Sequence, residues 1–385
     1  MNRKMTRRSI ALILAALTLF AMTGCSTAAK QQNTIKFACV GPMTGDNAAA
    51  GQFMKNACEI AVEEINAKGG ILGCKLEFEV FDDMASPNQA LIAAQKVASD
   101  KNIRFVVGHA NSGCTLAALP TYKAANIPTI SGSNSSPTIS EQGYDNFFRT
   151  CLDDNINQSI VTEFAIKDLG FSKPALIYEN TEYGKGMVGA AKAKLAELGI
   201  TAVSESTYNP STDRDFSAQI TDMKANNADC VLFMGEYAAA GIFLKQKDSL
   251  TLNVPVIGCT ALYYDELIKL AGTSAEGFYT GAQFSPYTDN TVALAFIDKY
   301  KEKYGSTPNE YGAFNYDCVM AYVNAIQYIG KADFTQEELI SALHNMPPYA
   351  GVAGDIQFDA KGNIAPRPIY FFKVENGAFV AYPTK

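Results

Sequence analysis

From residue 34 onward, short runs rich in β-branched and aromatic residues alternate with longer stretches whose apolar positions recur at helical spacing. "TIKFACVGP" reads as a strand, and residues 49–68 then place Phe53, Ala57, Ile60, Ala61 and Ile65 on one helical face. "KLEFEVFDD" predicts a second strand. "SPNQALIAAQKVASD" predicts a helix with Ser86 as N-cap and Pro87 at the first helical position. "IRFVVGH" is the next strand, followed by a helix from Thr115 to Ala125 and then by "IPTISGS". "FFRTC" leads into a helix over about residues 155–169.

The pattern then restarts with "KPALIYEN", "ITAVSESTY", "DCVLFMGE", "VPVIGCT" and "GFYTGAQF", each of the first four followed by a helix. Further helices are predicted near 291–303, 309–329 and 335–345. The chain closes on strands "DIQFD", "IYFFKV" and "AFVAY", the last two joined by a turn at Asn376 and Gly377. Repeated β-α units imply a mostly parallel sheet with helices on both faces. Two such series predict an α/β protein of two doubly wound parallel-sheet lobes joined by a hinge, with a seam near residues 146–152. Residues 34–147 plus 284–355 are assigned to the first lobe, and 148–283 plus 356–385 to the second. Ligands of such sheets sit beyond the carboxyl ends of the strands, where loops and helix N-termini converge.

The first 33 residues follow a different pattern. Arg3, Lys4, Arg7 and Arg8 precede a short apolar run over residues 10–20, too short for the roughly 20 residues that span a bilayer. Thr23, Gly24 and Cys25 follow. Residues 1–24 therefore read as a secretory signal peptide ending in a lipobox, with Cys25 acylated as the mature N-terminus and residues 25–33 as a polar tether. Met22 stands where leucine is commoner, and an ordinary signal peptide with a chance cysteine is the alternative. Removing residues 1–24 leaves 28 basic against 39 acidic side chains, a balance of −11. An acidic surface argues against nucleic acid as a partner, because that role needs basic patches.

Of nine cysteines, eight follow Cys25, several within apolar runs such as "FACV" and "DCVLF". With no C-x-x-C pair, buried free thiols are expected rather than a disulfide framework or structural zinc. No metal or cofactor motif is present: there is no H-E-x-x-H and no calcium loop. In "VVGHANSGCTLAALP", Ser112 beside His109 suggests a nucleophile. The segment is not the G-x-S-x-G elbow, however, and Cys114 has only His109 as a visible base. His109 reads more readily as a strand-end packing residue. A ligand cradle remains: Ser112 and Gly113 offer a hydroxyl and backbone N–H groups at a helix start, and "SGSNSSP" over 131–137 ends the next strand with more donors. Such a pair of strand ends suits a carboxylate, although plain Ser/Gly turn chemistry has the same composition.

Taken in order, "GPMTGDNAAAGQ", "AVEEINAKGGILG", "DDMASPNQA", "VVGHANSGCT", "YGKG" and "FDAKGN" resemble the branched-chain amino-acid-binding proteins of ABC importers, with the type I periplasmic binding protein fold. The resemblance covers essentially everything from Thr34 on. It implies that Ser112, Ser133 and Ser135, with neighbouring Ala110 and Gly113, hold a ligand α-carboxylate, and that Tyr183 packs on the ligand from the second lobe. The ammonium side departs from the family pattern, with Thr260 where a glutamate is usual and Glu236 where a tyrosine is usual. Glu236 is therefore expected to take the ammonium, its alternative being an exposed loop residue. Ala50 replaces an aromatic and is expected to enlarge the pocket, while Asn111 adds polarity. Phe314 and Tyr316 either complete the wall or belong to the core.

The resemblance implies a monomeric, extracytoplasmic, lipid-anchored protein. It would bind an α-amino acid, aliphatic or related, and deliver it to an ABC permease, with no catalysis and no cofactor. A ligand sensor for a membrane receptor is the alternative with the same fold. A hydrolase using Ser112 or Cys114 is the alternative of another class.

Overall fold

The computed structural model describes residues 34–383. The predicted signal peptide, Cys25 and the tether lie outside the described residues. Five strands form the first sheet: β1 (Thr34–Gly41), β2 (Lys75–Asp82), β3 (Ile103–Gly108), β4 (Thr129–Ser131) and β5 (Phe147–Arg149). Their order is β2-β1-β3-β4-β5 and every pairing is parallel. The intervening helices are α1 (Ala48–Ala67), α2 (Pro87–Ser99), α3 (Ser112–Ala124) and the short α4 (Pro137–Glu141). Strands β1 and β3 are apolar along most of their length and, like the short β4, almost wholly buried, as strands covered on both faces must be.

The second series repeats the plan. Its helices are α5 (Asp154–Glu163), α6 (Glu182–Glu197), α7 (Ser217–Ala225), α8 (Tyr237–Ser249) and α9 (Asp265–Ala271). Its strands are β6 (Pro174–Glu179), β7 (Ser204–Tyr208), β8 (Cys230–Met234), β9 (Val256–Gly258) and β10 (Tyr279–Ala282). They pair in the parallel order β7-β6-β8-β9-β10. In each lobe the order reverses beside its first strand, which opens a crevice at the carboxyl ends, the place where doubly wound sheets take ligands.

Three helices follow, α10 (Thr291–Tyr304), α11 (Glu310–Ile329) and α12 (Gln336–Asn345), and α11 packs back on α1, β3 and β4. The predicted strand "DIQFD" does not join a main sheet. Its first residues form a two-stranded ribbon, β11 (Tyr349–Gly351) with β12 (Gly354–Ile356). The hairpin β13 (Tyr370–Glu375) and β14 (Ala378–Tyr382) adds antiparallel to β10. Its turn places Asn376 and Gly377 both at positive φ, the backbone that a tight hairpin requires.

The chain thus passes between sheets three times: after Arg149, after Ala282, and between Ile356 and Tyr370. Residues beyond 356 still contact the first sheet, since Phe358 packs on Phe148 and the Gly362 carbonyl accepts the Arg149 N–H at 2.9 Å. Helix α3 begins at Ser112 rather than Thr115. Asn111 is extended and acts as N-cap, and its carbonyl accepts the Thr115 N–H at 3.1 Å, so the small residues Ser112, Gly113 and Cys114 form the first turn. The helix after the seam ends at Glu163 and passes into a wider turn over Phe164–Asp168. The eight cysteines from Cys39 to Cys318 are free and buried, as their apolar surroundings predict. Among the described residues, no helix is long and apolar enough to cross a membrane.

Candidate functional site

In the first lobe, two strand-end loops are stitched together by hydroxyls. The Ser131 hydroxyl donates to the His109 carbonyl at 2.7 Å and accepts the N–H groups of Ser133 and Asn134. The Ser133 hydroxyl donates to the Ala110 carbonyl at 3.1 Å, and the Ser136 N–H points at the Ser112 hydroxyl at 3.4 Å. Arg149, fully buried at the end of β5, braces the outer side of this loop. Its guanidinium donates to the carbonyls of Asn134 and Ser136 at 3.0 and 3.1 Å, to the Ser140 hydroxyl and to Asn363. Small serines permit the close approach of the two loops, and the arginine holds it.

The second lobe contributes the opposite wall. Tyr183 sits in the first turn of α6, whose N-cap Thr181 accepts the Gly184 N–H at 3.2 Å. A Cβ on Gly184 would lie 1.9 Å from the Glu179 carbonyl oxygen, so only glycine lets this helix start against the end of β6. The Tyr183 hydroxyl meets the Cys259 sulfur at 3.3 Å. Glu236, in extended backbone, precedes α8 as its N-cap residue without capping it through its side chain.

These walls line an inner cavity at the strand ends. Ala110, Asn111, Ser112, Ser133 and Ser135 line it from the first lobe, and Tyr183, Glu236, Thr260 and Ala261 from the second. Gly113 does not face it. It lines an outer recess at the cleft mouth, together with Asp46, Met84 and Pro210. Phe314 joins the inner wall, whereas Tyr316 turns away and donates to Glu64 at 2.9 Å. Ala50 is not among the lining residues and therefore does not enlarge the cavity. It is buried in α1, whose start is reached by aromatics of the other lobe: the Tyr237 hydroxyl donates to the Asp46 carbonyl at 2.7 Å, and Tyr264 meets Phe53 edge-on.

Sequence reasoning missed the hinge side. Gln283, Glu310 and Tyr311 line the cavity, as do Cys151 and Asn157. The Gln283 amide oxygen accepts the Leu152 N–H at 2.8 Å, and its own backbone N–H donates to Glu310 at 3.1 Å. These two bonds tie two chain crossings to the start of α11. No local motif marks such residues, because they meet only after the lobes are assembled.

The electrostatics of the cavity are one-sided. Its lining includes no lysine, arginine or histidine. Glu236 is 8% exposed and its carboxyl has no hydrogen-bond partner. Burial pushes its pKa up, and the carboxylates of Glu179 and Glu310 push it further. Burial also lifts Glu310 to about 8, against the opposing pull of the Gln283 N–H and of Arg367, and lifts Asp154 to about 7. A buried anionic end without a cation is costly unless a ligand supplies one.

His109 and Cys114 stand outside the cavity. The His109 ring is fully buried between Asp83, at 2.7 Å, and the Tyr122 hydroxyl, at 3.0 Å. Burial pushes the Cys114 thiol well above its ordinary range. Among the described residues, no group of three or more histidine, cysteine or carboxylate side chains is placed to hold a metal ion.

Two doubly wound lobes meeting at a polar, enclosed cavity define a solute-binding protein of the type I periplasmic class. The chain belongs to the periplasmic binding protein family, whose match spans residues 34–378. It is 32% identical over 337 residues to the Leu/Ile/Val-binding protein homolog 1 of Brucella suis, covering 88% of this chain and 89% of that one. Among solved structures it resembles the leucine-binding protein LivK of Thermotoga maritima, with a TM-score of 0.85 and 26% identity over 91% of this chain and 98% of that one. It also resembles the branched-chain amino acid transporter protein LivJ of Streptococcus pneumoniae in complex with isoleucine. That match has a TM-score of 0.83 and 27% identity over 91% of this chain and 99% of that one.

Proposed function

We propose that this chain is an extracytoplasmic, lipid-anchored binding protein that captures an α-amino acid between its lobes and hands it to an ABC permease. The observation that carries the reading is the polarity of the cavity. Serine hydroxyls and a helix start face it from one lobe, and the unpartnered carboxylate of Glu236 faces it from the other. A zwitterion has the matching pair of ends. Ser112 and Ser135 keep their hydroxyl protons for the α-carboxylate. Ser133 fixes the loop between them, because its own N–H and hydroxyl are held by Ser131 and Ala110, and Asn111 and Ala110 shape the space beside it. Glu236 takes the ammonium through a charge-assisted hydrogen bond, and Tyr183 covers the ligand from above. Each lobe supplies one charge partner, so ligand favours the closed form.

The names of the relatives support an amino-acid ligand, and family membership supports a location outside the cytoplasm. The relatives are named as binding proteins, which supports a role in binding rather than catalysis. Anchoring rests on acylation of Cys25. The direct test is to unfold the purified mature protein and identify any released small molecule by mass spectrometry. Release of an amino acid supports the reading, and release of a compound lacking an α-amino-acid group overturns it. Extraction of Cys25→Ala protein without detergent, where wild type requires it, tests the anchor.

A further inference from the structure

A second carboxylate in the same cavity is left over once a zwitterion is placed. This argument rests on the amino-acid reading above, with the α-ammonium at Glu236. Glu310, 5% exposed, lies in the first turn of α11 and lines the cavity on its hinge side. One of its oxygens accepts the Gln283 N–H, and no cationic side chain bonds it. The nearest buried guanidinium, Arg367, directs its terminal nitrogens to the carbonyls of Ala353 and Thr150.

Asn157 supplies an independent sign of the same kind. Its amide nitrogen donates to the Thr260 hydroxyl at 2.8 Å, which orients its amide oxygen, and that oxygen is buried with no partner. Acceptor capacity beyond what one ammonium uses therefore remains on this side of the cavity. An aliphatic side chain packed here would leave a buried carboxylate and a buried amide oxygen unpaired, each at a desolvation cost. A side chain ending in a cation removes that cost. Its methylene stem would pack on Tyr311 and Phe314, as long basic side chains pack on aromatic faces.

We infer that the cavity selects a basic α-amino acid, with Glu310 as the specificity residue for the side-chain cation. Calorimetric titration of ligand-stripped protein with L-lysine, L-ornithine, L-arginine, L-leucine and L-isoleucine tests this, using wild type and Glu310→Gln. At least one basic amino acid should bind at least tenfold tighter than leucine. Glu310→Gln should weaken that binding more than tenfold while leaving leucine within about threefold, a change of preference that a purely structural role would not produce. If the variant does not fold, the wild-type ranking decides alone. Tighter binding of aliphatic amino acids than of basic ones overturns the inference and leaves the amino-acid reading intact. Binding of none of the five also overturns the inference, and the amino-acid reading then stands or falls on the released ligand.

Discussion

Glu236 occupies a position where solvent cannot screen it and no protein group neutralises it, so its worth depends on what enters the cavity. Glu236→Ala should weaken amino-acid binding by more than tenfold, about 1.4 kcal/mol or more. Unchanged affinity in calorimetry would remove it from the site. The raised carboxyls also make stability depend on pH. Folding lifts Glu236, Asp154 and Glu310 above their ordinary values, Glu310 to about 8. The ligand-free native state therefore binds more protons than the unfolded chain between the ordinary carboxylate range and about pH 8. These groups' stabilising contribution is complete at the acid end of that window and is lost as pH rises through it. Denaturant titrations of stripped protein from pH 5 to pH 8.5 should show this fall, and Glu310→Gln should flatten it. A bound cation favours the ionised forms, so affinity should rise over the same window with release of protons.

At the scale of elements, the donor wall depends on β5 and the 131–136 loop staying in register. Arg149 joins them, its three guanidinium nitrogens donating four hydrogen bonds, two to the loop carbonyls, one to Ser140 and one to Asn363. Arg149→Met fills similar space but leaves the carbonyls of Asn134 and Ser136 unpaired in the interior. A loss of about 3 kcal/mol in denaturant unfolding is expected, with weaker ligand binding. Stability within 0.5 kcal/mol of wild type would show that water replaces the guanidinium. The start of α3 is legible in hindsight from Asn111, a good N-cap residue. Its low-propensity first turn, Ser112-Gly113-Cys114, hid it from a periodicity argument, because tertiary packing rather than propensity holds a first turn in place.

For the whole molecule, the contacts that seal the cleft lie at its lip. Asp46, before α1, pairs with Arg214 at 2.5 Å and accepts the Tyr237 hydroxyl through its carbonyl. Both partners come from the other lobe, so these bonds exist only when the lobes are together. The ion pair is exposed, at 44% and 65% for the two side chains, and exposed pairs contribute about 0–1 kcal/mol. Arg214→Ala should therefore raise Kd by no more than about fivefold, mostly through faster release, and the difference should shrink in high salt. Stopped-flow release kinetics would measure both. A much larger effect would mean that the lip, rather than the cavity, supplies most of the closure energy.

The sequence by itself determined the two α/β series, and it pointed to the strand ends and to Ser112, Ser133, Ser135, Tyr183 and Glu236, which line the cavity. Apolar periodicity and small polar residues after a strand are local signals, and the order of family motifs supplies the rest. Tertiary structure decided which strand ends share a cavity, that Gly113 faces the outer recess, and that Ala50 does not line the site. It alone brought Gln283, Glu310 and Asn157 beside Glu236. These residues come from four separate segments of the chain, near positions 157, 236, 283 and 310. Burial and the absence of a cation partner are properties of the assembled molecule, and they turn an ordinary helix-start glutamate, Glu310, into a candidate for choosing the ligand.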